Sequence, residues 1–319
     1  MGKGLRYLGH WAGIAVALRK EASMPDDRVR PTVLTIAVGA LLLFANSVTA
    51  SADESKPPPC NTVAQFDPAN FPSPPKIDNQ WSPLTPGMQF TLAGEADRGG
   101  GLLPHRVVST VTDLTKMING VRTVVILEKD VNEGALQEAE LRFEAQDNAG
   151  NIWNLGEYPE EYKDGKFSAA PDVWLAGLAK AEAGNSMPGD PQLGTPEYLQ
   201  GWSPDIEFLD CAKVSKMQQR TCVPVGCYEN VMIIDERSPL DPDSGRQLKY
   251  HAVGVGNVRV GFVDDPEGEV LVLSKVAQLS PEELIKVRGD ALKLEQHAYK
   301  ISELYRQTAP LVLTSSITG

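Results

Sequence analysis

Histidine is scarce in this chain, four in 319 residues, and the motifs that would use it catalytically are missing. Zinc proteolysis needs His-Glu-x-x-His, yet His105, His251 and His297 stand far apart and none precedes Glu. No serine sits in a Gly-x-Ser-x-Gly frame, which removes the nucleophile-elbow hydrolases. The phosphate-binding loop is absent. Gly254-Val255-Gly256 has Arg259 where a dinucleotide fingerprint needs its third glycine, so it reads as a bend between strands. Basic residues are in deficit, 30 Lys+Arg against 42 Asp+Glu, a net charge of −12. That sign repels phosphates and anionic lipid, and no nucleic-acid partner is expected.

Long apolar runs are missing as well. The longest, Thr32 to Ala45, has 14 residues, short of the roughly 18 or more of a spanning helix, so no transmembrane anchor is expected in the mature chain. With Arg28 and Arg30 before it and Ala50-Ser51-Ala52 after it, this run reads as a Sec-type signal. Residues 1–52 are therefore a leader cleaved after Ala52, with the mature chain starting at Asp53 and translation at Met24. The expected location is periplasmic or secreted. The leader holds six Lys/Arg against three Asp/Glu, so the mature chain is more acidic than the whole.

Only four cysteines are present, all beyond the leader: Cys60, Cys211, Cys222 and Cys227. An even number in an oxidising compartment predicts two disulfides. A hairpin near Lys216-Met217 would place Cys211 opposite Cys222 and leave Cys60 for Cys227; local closure of Cys222 to Cys227 across Val-Pro-Val-Gly is the competing pairing. Their spacing matches no common zinc knuckle, and no metal or other cofactor is expected. Asp241-Pro242-Asp243-Ser244-Gly245 has too few alternating acids for a calcium loop and reads as a turn.

What is abundant is turn chemistry at even spacing. Asn119-Gly120, Asn132-Glu133-Gly134, Asp147 to Asn151 and Asp164-Gly165 separate runs rich in Val, Ile, Leu, Phe and Trp. They predict an antiparallel meander over Arg106–Thr112, Val121–Leu127, Ala135–Ala145 and Asn151–Tyr158, after a first strand at Met88–Ala93. In the third run Glu138, Glu140, Arg142 and Glu144 share one face, expected to be wet, and Ala139, Leu141, Phe143 and Ala145 the other. Further strands are expected at Ile206–Val214, Tyr228–Glu236, Leu248–Val253, Val258–Val263 and Glu269–Val276. Between them Pro171 to Trp202 reads as a long excursion, with one turn of helix at Leu175 to Ala183.

The period changes at the C-terminus. Ser280-Pro281-Glu282-Glu283 forms a helix start with a capping box. Leu284, Val287, Ala291, Leu294, Ala298, Ile301 and Tyr305 then recur at three and four residues, one apolar seam. Packing on the sheet is the favoured use of that seam, and pairing with a second copy in a homodimer the alternative.

The expected organisation is a Pro-rich arm over 53–83, a β domain over 84–279, the helix over 280–308 and a frayed tail over 309–319. The fold class is mainly β: an antiparallel meander of about ten strands forming a curved sheet or half-barrel, with one long C-terminal helix closing a concave apolar face. His251, near a strand end, and the aromatics Trp153, Trp174, Tyr198 and Trp202 are the candidate ligand-binding residues. The favoured function is non-catalytic binding of a small apolar or amphiphilic molecule, or of an envelope partner. A hydrolase using carboxylates with His251 or His105 as base is the runner-up, and a structural envelope protein the third reading.

Five segments carry a resemblance: Pro83-Leu84-x-Pro86-Gly87, Ala145-Gln146-Asp147-x-x-Gly150-Asn151-x-Trp153-x-x-Gly156-Glu157, Met187-Pro188, Val225-Gly226-Cys227-Tyr228-x-Asn230-Val231 and Tyr250-His251-Ala252-x-Gly254-Val255-Gly256. In that order, over roughly residues 80 to 276, the chain resembles a group of exported bacterial proteins and lipoproteins with no assigned reaction. The resemblance implies a β-rich exported domain and no catalytic residues. Lipoprotein members carry a lipobox cysteine; Cys60 follows Pro57-Pro58-Pro59 beyond the cleavage site, so no lipid anchor is expected here.

Overall fold

The computed structural model describes residues 60–61 and 64–316. The leader, its cleavage site and the first part of the Pro-rich arm lie outside them.

Fifteen strands form one antiparallel sheet: β1 (Met88–Asp97), β2 (Leu102–Ile118), β3 (Val121–Asn132), β4 (Ala135–Gln146), β5 (Ile152–Lys163), β6 (Lys166–Ala169), β7 (Trp174–Leu175), β8 (Glu182–Met187), β9 (Tyr198–Ser203), β10 (Phe208–Val223), β11 (Gly226–Arg237), β12 (Arg246–Ala252), β13 (Gly256–Val263), β14 (Val270–Gln278) and β15 (Val312–Leu313). β1 pairs with β14 on one edge and β2 on the other, so the sheet closes. The result is a 12-strand barrel in the order β1, β14, β13, β12, β11, β10, β9, β8, β5, β4, β3, β2, where a curved half-barrel was expected. Closure removes the exposed edges that an open sheet would leave to aggregation. β6 and β7 add to β5 beside β8, and β15 adds to the far end of β2.

The meander follows its turns. Asn119-Gly120, Glu133-Gly134 and Asp164-Gly165 all have positive φ at both residues, the geometry that lets a two-residue turn match the twist of its strands. The Asp147 turn is held by its own side chain, which accepts from the backbone N–H of Ala149 and Asn151 (both 2.9 Å) and from Trp153 Nε1 (2.9 Å). Where a turn of helix was expected, Trp174–Leu175 instead forms β7, because Gly177, Ala179 and Lys180 all take positive φ.

The helix, α1, spans Pro281–Ile301, and its capping box is formed as the sequence predicts. It lies outside the barrel, against β2 and β4. Ala291, Leu294 and Ala298 from α1 meet Leu114, Val125, Leu127, Leu141 and Phe143 from β2, β3 and β4. Two polar contacts pin it: an ion pair from Arg288 to Asp113 of β2, and a hydrogen bond between His297 Nδ1 and Glu160 of β5 at 2.6 Å. Ile285 and Ile301 remain exposed.

The segment after α1 is anchored rather than frayed. Lys116 of β2 is fully buried, its Nζ 3.0 Å from Glu295 Oε1, 2.8 Å from the Ala309 carbonyl and 4.2 Å from the centre of the Tyr305 ring. Glu295 also accepts from the Leu311 N–H at 2.9 Å, which sets up β15 on β2. An alternating-period reading misses this, because Lys116 looks like a surface lysine until its partners arrive from 179 and 193 residues away.

The disulfides are Cys60–Cys211 and Cys222–Cys227, so of the two pairings the sequence left open the local closure is the one formed. Bulges between Val214 and Thr221 absorb the irregular stretch at Lys216-Met217, and the chain runs on to turn at Pro224-Val225, putting Cys222 opposite Cys227. Cys60–Cys211 closes a separation of 151 residues, Cys222–Cys227 one of 5. Chain entropy therefore predicts that replacing the first pair by alanine costs about 5 kcal/mol and the second about 2 kcal/mol. Urea unfolding midpoints of the two double variants check the order; equal losses would contradict it.

Candidate binding cavity in the barrel lumen

The barrel turns its charged side inward. Glu138, Glu140, Arg142 and Glu144, expected on a wet face, point into the lumen, while Leu141 and Phe143 point out under α1. The period of two separates the faces but says nothing about which curls inward. The concave apolar face closed by a helix is thus corrected: the concave side is largely polar, and the helix covers the convex side.

Three layers fill the lumen. At one end Arg98, His105, Asp130, Glu267 and Glu269 form a network, with His105 Nε2 2.9 Å from Glu269 and Nδ1 bonded to Asn132 Oδ1. Burial works against the imidazolium there, but the Glu269 hydrogen bond and the Asp130 charge raise its pKa. Beside this network lie Glu128, Glu138, Glu140 and Glu157, buried carboxyls raised by desolvation; Glu157 is pushed up to about 8. Trp174 Nε1 donates to Glu157 Oε1 at 2.8 Å, an approach allowed by Gly156, whose φ is +135° and where a Cβ would fall 2.4 Å from the Trp174 carbonyl oxygen. Leu92, Val107, Val258, Val260, Leu271 and Leu273 make the third, apolar patch, drawn from β1, β2, β13 and β14.

Beneath Ser82, Pro83 and Leu84 of the segment before β1 is a cavity of about 120 Å³. At roughly 15 Å³ for each water-sized group, it admits a molecule of about eight such groups, smaller than a drug-sized pocket. Leu84, Phe90, Val111, Ile126 and Met187 make an apolar wall, and Arg142, Glu144, Gln200, Asp210, Glu236, Lys249 and His251 a polar one. The segment before β1 caps this end. Ile77 bridges to Leu84, Trp81 is buried, and Asn79 Nδ2 donates to the carbonyls of Gly150 (2.9 Å) and Pro188 (3.0 Å).

Most charged groups of the polar wall pair with one another. Arg142 reaches Glu128 at 3.1 Å and Glu144 at 2.5 Å, and Lys249 reaches Glu236 at 2.5 Å. Gln200 Nε2 donates to the other Glu236 oxygen at 2.9 Å. His251 Nδ1 lies 3.1 Å from the Trp81 carbonyl, so it carries the proton and leaves Nε2 an acceptor; burial pushes this imidazole down to about 4 and keeps it neutral. Asp210 is different. It is 1% exposed, and neither carboxyl oxygen has a hydrogen-bond partner. Desolvation, then the Glu236 charge, push it well above the usual carboxylate range.

Of the sequence candidates, only His251 lines this cavity. Tyr198 packs with Val111 and Met187 of the apolar wall, and Trp174 stacks behind Phe208, ring centres 5.1 Å apart. Trp153 lies outside the barrel with Phe66 and Phe71, and Trp202 packs beside the Cys60–Cys211 bridge. Asp210, Glu236, Lys249 and Gln200 were not singled out by the sequence. The one available signal was Asp210 in an otherwise apolar strand start, Phe208-Leu209-Asp210-Cys211-Ala212.

No family model matches this chain, and no curated protein does either. Among solved structures it is similar to an inferred exported protein with YmcC-like fold from Bacteroides fragilis NCTC 9343, at 13% identity and TM-score 0.38, over 63% of this chain and 100% of that one. An inferred lipoprotein from Parabacteroides distasonis ATCC 8503 aligns at 13% identity and TM-score 0.33, over 62% of this chain and 99% of that one. The two disulfides fit an oxidising, extracytoplasmic compartment. No helix among the described residues is long and apolar enough to cross a membrane.

Proposed function

We propose that the protein acts outside the cytoplasm as a non-catalytic binder of one small amphiphilic molecule, held in the barrel lumen. The observation that carries this is the two-sided cavity: an apolar wall from Leu84, Phe90, Val111 and Ile126 faces a polar wall holding one carboxyl with no partner. Saturated polar walls stabilise a fold, and an unsaturated group fixes a ligand's orientation.

The hydrolase alternative has less support. His251 at about 4 is a weak base, and both nitrogens of His105 are engaged. A general base works best with its pKa near the operating pH. Native mass spectrometry of protein purified from its native compartment tests the reading. The expected spectrum shows a non-covalent adduct of low mass that is lost on unfolding. Adduct-free protein that cleaves ester or glycoside probes, with cleavage abolished in His251→Ala, would contradict it.

A further inference from the structure

We infer that the ligand's polar head is a primary amine, with Asp210 as its counter-ion; this rests on the reading of the lumen as a binding site. Every cation on the cavity wall already faces a carboxylate: Arg142 has Glu128 and Glu144, and Lys249 has Glu236. The carboxyl left without any donor is Asp210, buried on the inward face of β10 two residues from Phe208, another cavity residue. A buried carboxyl without donors is costly, and an arriving ammonium supplies both charge and N–H groups.

Unused hydrogen-bonding capacity on this wall consists mostly of acceptors. Both Asp210 oxygens and Gln200 Oε1 have no partner, against the donors Arg142 Nε and Asn257 Nδ2, and His251 Nε2 can only accept because Nδ1 donates to the Trp81 carbonyl. A primary ammonium carries three donors and no acceptor, which suits such a set. A carboxylate or phosphate head would face Asp210 and Glu236 as like charges. The apolar wall and the 120 Å³ volume limit the rest of the ligand to a short hydrocarbon tail.

Isothermal titration calorimetry of the full mature chain with hexylammonium, 1-hexanol and hexanoate tests this. A charge-assisted contact predicts that hexylammonium binds about ten- to a hundredfold more tightly than 1-hexanol. Asp210→Asn, which keeps the side chain's shape, is expected to abolish the amine preference and bring the two to parity. Hexanol equalling hexylammonium in the native chain, or the amine preference surviving in Asp210→Asn, would overturn the amine while leaving lumen binding intact. If none of the three binds, lumen binding itself fails and the amine with it.

Discussion

A chain cut after Leu279 is expected not to fold. The lost segment carries Leu294, Tyr305 and Leu311, all buried, whose burial together contributes about 5–9 kcal/mol. That is comparable to the whole net stability of a typical domain, about 5–15 kcal/mol. The cut also strips the outer wall of the barrel, leaving Leu114, Ile118, Leu141 and Phe143 in water. Lys116, on the same face, would lose Glu295 and the Ala309 carbonyl together. Circular dichroism and size exclusion check the outcome: no cooperative thermal transition is expected. A well-folded monomer from a chain that is dimeric when whole would instead make α1 an oligomer contact.

Stability is expected to rise as pH falls from 8 to about 6. The lumen carboxyls have folded-state pKa values raised by desolvation, Glu157 to about 8 and Asp130 to about 6, with Glu138 and Glu140 raised too. Such groups hold protons that the unfolded chain has released, so their stabilisation is complete below the unfolded value and is lost as pH rises through the folded one. For Glu157 the change between pH 6.5 and 8 amounts to about 2 kcal/mol. His251 acts in the opposite direction. Its folded value of about 4 lies below that of the unfolded chain, so its contribution is complete above about pH 6.5 and declines by about 3 kcal/mol as pH falls through 4. The two slopes place the optimum on the acid side of neutrality. Urea midpoints from pH 4 to 9 check it, and Glu157→Gln, which still accepts from Trp174, should flatten the alkaline limb. A midpoint independent of pH from 6 to 8 would contradict the expectation.

Strand positions were legible because their signals are local. Asn-Gly, Glu-Gly and Asp-Gly turns specify positive φ by themselves, and Ser280 to Glu283 specifies a helix start within four residues. Closure was not legible, since the pairing of β1 with β14 joins Met88 to Gln278 and no local feature encodes it. The orientation of the meander was misjudged for the same reason. Acids at Glu138, Glu140 and Glu144 normally mark a solvated face, and here they are buried because the ring of strands encloses them with Arg142. His251 was found because it sits at a strand end beside glycines. Asp210, Glu236 and Lys249 come from three strands, and their meeting depends on the barrel's shear rather than on any spacing.

The account turns on the inward orientation of the charged face of β4, and thiol labelling measures that most directly. The four native cysteines are bridged, so a cysteine introduced by Glu140→Cys or, as an exposed control, by Glu133→Cys is the sole reactive thiol. At position 140 a bulky maleimide is expected to react only as fast as the protein unfolds, while position 133 reacts at once. Equal, immediate labelling at both positions would put the face of Glu140 in water and end the account.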